Sequence, residues 1–73
     1  MDEPVTQTTI QLNGKSRAIP AGSSISDLVR SLNLVDKMVV VERNGEIVHR
    51  SLFPEIILTQ DDVLELVHFV GGG

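Results

Sequence analysis

Two Asn-Gly pairs, Asn13-Gly14 and Asn44-Gly45, restrict the folding of this chain more than any other feature. Both central positions of a two-residue hairpin turn need φ > 0, which Gly and Asn tolerate and most residues resist. The first pair is flanked by Thr8 to Leu12, which alternates with Ile10 and Leu12 on one face, and by Lys15 to Ile19 as a returning strand. The second is flanked by Met38 to Arg43 and by Glu46 to His49. Three valines in a row, Val39 to Val41, predict a strand covered on much of both faces. The repeated pair is local turn chemistry and not an internal duplication.

Between the hairpins the periodicity changes. Pro20-Ala21-Gly22 ends the strand pattern, and Ser24 offers a helix N-cap. Asp27 stands where a capping-box acid reaches back, and being shorter than Glu it is expected to close the box imperfectly. Ile25, Leu28, Val29 and Leu32 share one face of a helix of about three turns ending near Asn33, with Ser26, Asp27, Arg30 and Ser31 on the other side. After the second hairpin, Pro54 makes 50–57 irregular with a helical turn, and Gln60-Asp61-Asp62 reads as a polar turn. Val63 to His68 is the last strand, with Leu64 and Leu66 on one face and Val63, Glu65 and Val67 on the other. The expected fold is α+β: a mixed four- to five-stranded sheet with one main helix packed on one face.

Size and composition narrow the function. At 73 residues and 41% hydrophobic, a single globular domain over 1–73 is expected, with 1–7 a polar lead-in and 69–73 a flexible tail. A core of that size leaves no room for a deep catalytic cleft, so an enzyme is not expected. Cysteine is absent, which excludes disulfides, thiolate metal sites and a cysteine nucleophile. His49 and His68 are the only histidines and form no ligand cluster, so no metal is expected. Ten acidic against six basic residues, a net charge of −4, oppose nucleic-acid binding. Phe53 and Phe69 alone are aromatic and supply no base-stacking platform. No stretch is long and apolar enough to span a bilayer. The acidic start Met1-Asp2-Glu3-Pro4 is unlike a secretory signal, so the cytoplasm is the expected location. Ser24 and Asp27 read as helix capping and not as nucleophile and base. Asp61 and Asp62 read as turn-forming and not as a catalytic pair, and Lys37, Arg43 and Arg50 as solvated charge.

The chain closes on Val70-Gly71-Gly72-Gly73. Glycines leave the backbone slender and free in φ/ψ. Such an end is either a frayed terminus or a probe whose terminal carboxylate can enter another protein's active site.

Taken together, Ile10-Gln11-Leu12-Asn13-Gly14, the stretch Ala21-Gly22-Ser23-Ser24-Ile25 leading to Leu28, and the close Val67-His68-Phe69-Val70-Gly71-Gly72-Gly73 resemble the ubiquitin-like β-grasp proteins. Within them the chain is most similar to the ThiS-type sulfur carriers of thiamine biosynthesis, over roughly 8–73. The family minimum is two terminal glycines; this chain has three, and the resemblance assigns no role to Met1 to Gln7. The resemblance implies that an E1-like adenylyltransferase of the ThiF type consumes ATP to adenylylate Gly73. A sulfur donor relay then makes a thiocarboxylate, and a thiazole synthase of the ThiG type takes the sulfur. The carrier itself binds no cofactor. Alternatives sharing the fold are the small subunit of molybdopterin synthase, carriers for tRNA thiolation or cysteine synthesis, and a protein modifier joined to lysine; a plain binding module with an idle tail is a further one.

Gly71 and Gly72 are expected to thread into the partner. Residues 69 to 73, fully extended, reach at most about 17 Å. Ordering so flexible a tail costs entropy, so the body must supply docking area. That area is expected on the sheet face opposite the helix, at Val63, Val67 and Phe69. The opposite parity would make these residues core.

Overall fold

The computed structural model describes residues 6–69. Five strands and one helix follow in the order β1 Gln7–Leu12, β2 Lys15–Pro20, α1 Ile25–Ser31, β3 Val39–Arg43, β4 Glu46–Val48 and β5 Val63–His68. Single 3₁₀ turns at Asp36–Met38 and Arg50–Leu52 lie before β3 and after β4. The sheet order is β2-β1-β5-β3-β4, so the last strand is the central one. β5 runs parallel to β1 and antiparallel to β3, and the two hairpins form the outer pairs.

Both Asn-Gly pairs form the expected turns, with Asn13, Gly14, Asn44 and Gly45 all at positive φ. The alternation along the strands decides which residues enter the core. Ile10, Ile19, Val39, Val41, Leu64 and Leu66 turn inward, where they cluster with Ile25, Leu28 and Val29 of α1. Phe53 and Leu58, from the irregular stretch between β4 and β5, complete the cluster.

Four sequence expectations need correction. The valine run of β3 is not covered on both faces: Val39 and Val41 are buried, but Val40 between them is exposed. α1 covers one side of this sheet, so alternation wins over composition. The helix makes about two turns, not three. It ends near Asn33 as expected, because Asn33 adopts φ 62° and closes a Schellman motif: Asn33 N–H donates to the Arg30 carbonyl at 2.9 Å and Leu34 N–H to that of Val29 at 3.1 Å. Leu34 then packs on the core. Ser26, assigned to the outer face, is buried, and its hydroxyl donates to Asp36 Oδ2 at 2.6 Å.

The capping box is closed despite the shorter acid. Asp27 N–H donates to Ser24 Oγ at 3.0 Å, and Ser24 N–H donates to Asp27 Oδ2 at 2.9 Å. The Ser24 backbone and hydroxyl contacts, aided by Arg30, hold the Asp27 carboxyl below the usual carboxylate range despite the opposing effect of desolvation. The remaining free donors of the first turn are met by the 50s loop: Ile25 N–H reaches the Ile56 carbonyl and Ser26 N–H that of Phe53. A helix of seven residues is too short to persist alone, and here both its ends are tied to other parts of the fold.

Candidate functional site

The feature that distinguishes this architecture is how β5 is held, because β5 leads directly to the glycine end. Leu64 and Leu66 anchor it from the helix side. β3 pairs with it along its length, from Arg43 opposite Leu64 to Val39 opposite His68, and Phe69 N–H still reaches the Met38 carbonyl at 2.9 Å. β1 pairs only at Gln11 with Val63 and Leu12 with Leu64 before it turns away.

Each hairpin asparagine then reaches β5 with its side chain. Asn13 Oδ1 accepts from Leu66 N–H at 2.8 Å and its Nδ2 donates to the Leu66 carbonyl at 3.2 Å. Asn44 Oδ1 accepts from Val63 N–H at 2.9 Å. Sequence reasoning found these residues as turn formers and missed this second use. The polar side chain at a φ > 0 position was the available signal, since glycine would have sufficed for the turn.

Asp62, at the start of β5, is a hub and not one half of a carboxylate pair. Asp61 is exposed at φ 70°, whereas Asp62 is buried. The Asp62 carboxylate accepts from Arg43 Nε at 3.0 Å, Asn44 Nδ2 at 3.1 Å and Thr59 N–H at 2.9 Å. A second Arg43 nitrogen stands 2.9 Å away. Arg43 is therefore engaged in structure and not simply solvated. Burial alone would raise the Asp62 pKa, but the Thr59, Asn44 and Arg43 donors outweigh it and hold the carboxyl below its ordinary value.

On the face away from α1, Val63, Val67 and Phe69 are 44%, 62% and 56% exposed, and Phe69 does not lie beneath the helix. Two neighbours missed from sequence join them: Val40, directly opposite Val67, and Ile47 on β4. Val40 could have been found only from the β3–β5 register, which crosses the chain. Val40, Ile47, Val63, Val67 and Phe69 thus gather exposed apolar side chains on one sheet face. Gly71, Gly72 and Gly73 lie outside the described residues. His49 and His68 are exposed and far from forming a ligand set: no group of three or more His, Cys, Asp or Glu is placed to hold a metal ion among the described residues. No helix among them is long and apolar enough to cross a membrane.

With this geometry in view, the comparison with known proteins is decisive. The ThiS family model matches residues 10–73, through to the final glycine. The chain belongs to the ThiS family, the sulfur carriers of thiamine biosynthesis. It is 46% identical over 65 residues to the sulfur carrier protein ThiS of Bacillus subtilis (strain 168), covering 88% of this chain and 98% of that one. The crystal structure of the thiamine biosynthesis protein ThiS from Geobacter metallireducens superposes with a TM-score of 0.74 at 28% identity, covering 90% of this chain and all of the other. The fold is accordingly the ubiquitin-like β-grasp. A third relative is of another kind. A thiazole synthase of Magnetococcus marinus is 39% identical over 64 residues, but this chain spans only 20% of its length. A ThiS-like segment is thus carried within a much longer thiazole synthase. None of these relatives speaks for the molybdopterin, tRNA-thiolation, cysteine-synthesis or protein-modifier alternatives.

Proposed function

We propose that this chain acts as a co-substrate whose reacting atom is the Gly73 carboxyl carbon, and that it is not itself a catalyst. The observation that supports the reading is that the ThiS match runs to the last residue, Gly73. An α-carboxyl titrates near about 3.5, so it is ionised in the cytoplasm. Direct attack on a carboxylate would have to expel oxide. Transfer of AMP from ATP, with loss of pyrophosphate, makes a mixed anhydride instead, and a sulfur nucleophile can then displace AMP to leave a thiocarboxylate. An E1-like enzyme is the expected site of that activation, holding the carboxylate beside the α-phosphate and excluding water. A separate relay delivers the sulfur.

The acceptor is a thiazole synthase. The relative in which a ThiS-like segment and a thiazole synthase share one polypeptide supports this, because joining two proteins in one chain favours steps that follow one another. Gly71 and Gly72 would pass through a narrow channel, and Val63, Val67 and Phe69 would dock the body. The rigid hold on β5 fits this role. It fixes the point from which the tail departs, so that docking of the body aims the tail.

The test is direct. The protein is incubated with the adenylylating enzyme of its own organism, ATP and a sulfur donor, and its intact mass is measured. Replacement of one oxygen by sulfur, located on the terminal residue by fragmentation, is the expected result. An unchanged mass, with the same enzyme active on another carrier, would remove the reading.

A further inference from the structure

The two asparagine amides that hold β5 are also the chemically labile ones. Asn13 and Asn44 are each followed by glycine, whereas the third asparagine of the chain, Asn33, is followed by Leu34. Without a side chain, a glycine leaves its own backbone nitrogen open to approach. The space beside Gly14 and Gly45 is free as well: a Cβ at either position would meet nothing within 4 Å. That nitrogen can attack the amide carbon of the asparagine before it. The N–Cγ bond forms, the Cγ–Nδ2 bond breaks, and the side-chain nitrogen leaves as ammonia with the proton of the glycine N–H. The cyclic succinimide then takes up water. Opening at Cγ gives aspartate. Opening at the main-chain carbonyl gives isoaspartate, in which the backbone runs through the side chain and is longer by a carbon. The balance is amide plus water to carboxylate plus ammonium, with no other reagent.

Sterics therefore offer these turns no protection, and hydrogen bonding supplies it. Asn13 is held at both amide atoms by the Leu66 backbone. Asn44 is held at Oδ1 by Val63 N–H and at Nδ2 by the Asp62 carboxylate. While these bonds last, each amide is directed at β5, and the nitrogen that would leave is in use as a donor. Attack by the glycine requires the amide to be released. Val63 and Leu66 lie on the same strand, so the two amides are released together when β5 opens.

We propose that Asn13 and Asn44 are modification sites of this chain, deamidating from molecules in which β5 has opened, and that change at either one exposes the other. The products cannot restore the hold. At position 13 a carboxylate oxygen would replace the Nδ2 that donates to the Leu66 carbonyl, so that acceptor faces acceptor. At position 44 it would replace the donor that stands 3.1 Å from Asp62 Oδ1, adding a negative charge beside a buried carboxylate. Isoaspartate lengthens a tight turn whose geometry sets the register of the strands it joins. Loss of one anchor thus raises the population in which β5 is free, and with it the reactivity of the other. Succinimide closure is slow beside opening and reclosing, so its rate in the folded protein follows the population of the open form.

The full chain is aged in mildly alkaline buffer, with and without denaturing urea, and asparagine, aspartate and isoaspartate at each position are separated by peptide mapping and mass spectrometry. In native buffer both sites are expected to react at least about tenfold more slowly than in urea. Asn33 should react far more slowly than either in urea, because the side chain of Leu34 hinders the approach. Molecules modified at both sites should exceed the product of the two single fractions in native buffer and equal it in urea. Leu66→Ala, which loosens β5 without altering either turn, should speed both sites in native buffer and neither in urea. Asn44→Asp should speed Asn13 in native buffer by the same route. Should that variant fail to fold, the doubly modified fraction of wild type still reads the coupling. Equal rates in native buffer and urea would overturn the proposal, since the fold would then protect neither amide. Doubly modified molecules no more frequent than chance in native buffer would equally overturn it, since the two turns would then act independently of β5.

Discussion

The side-chain amide of Asn13 replaces a missing strand opposite Leu66, accepting from its N–H at 2.8 Å and donating to its carbonyl at 3.2 Å. β1 has already turned away at this point, so without the amide both backbone groups would face an open edge. One side chain thus extends the sheet by a rung and steadies the strand that leads to the glycine end.

Asn13→Gly isolates this effect, because glycine keeps the positive φ of the turn and removes only the amide. The expected loss is about 1–2 kcal/mol of stability. Denaturant unfolding measures it. A variant as stable as wild type would show that water serves Leu66 equally well.

Asp62 should make stability depend on pH. Its carboxyl is held below the ordinary value, which is about 3.9 in an unfolded chain. A lowered folded pKa means that the stabilisation is complete above that ordinary value and is lost as pH falls through the lower folded one. Asp62→Asn, which leaves Arg43 without its anion, should cost about 2–3 kcal/mol at neutral pH. The gap to wild type should close as pH falls from about 5 to about 2. A gap that stays constant over that range would remove charge from the explanation.

Neighbouring residues of β5 should behave oppositely. Leu66 is buried among α1 and sheet residues, so Leu66→Ala should cost about 2–4 kcal/mol. Val67 is 62% exposed, so Val67→Ala should cost less than about 0.5 kcal/mol. Val67→Ala should instead raise the KM for the carrier in the activation reaction. Thermal melts paired with steady-state kinetics distinguish the two, and a Val67 variant that loses stability while keeping its KM would move that residue from docking to packing.

If the tail threads a narrow channel as proposed, Gly72→Val should stop thiocarboxylate formation, because a branched side chain widens it. Intact mass after incubation with enzyme, ATP and sulfur donor reads this, with circular dichroism to show that the fold is kept. Full sulfur incorporation in that variant would mean that the channel is wide.

Much of this was legible in the sequence because the signals were local. The Asn-Gly turns, the Ser24 cap and the inward alternation of Leu64 and Leu66 each depend on residues a few positions apart, and the structure has them as read. What was misread depended on partners distant in the chain. Val40 looked buried because valine runs suit covered strands, and only its pairing with Val67 shows that it faces outward. Ser26 looked solvent-facing until the turn at Asp36 supplied an acceptor. Asp62 looked like any turn aspartate, since Arg43 and Asn44 lie almost twenty positions earlier (|i−j| 19 and 18). The chemistry expected of the glycine end falls on residues outside those described.

The central place of β5 has a mechanical consequence. A pull on whatever follows Phe69 acts along the strand, against β3 on one flank and against β1 and the Asn13 amide on the other. The bonds on both flanks are loaded in shear and must yield together, whereas an edge strand would unzip one rung at a time. A strand so placed resists a pull on its end better than an edge strand would.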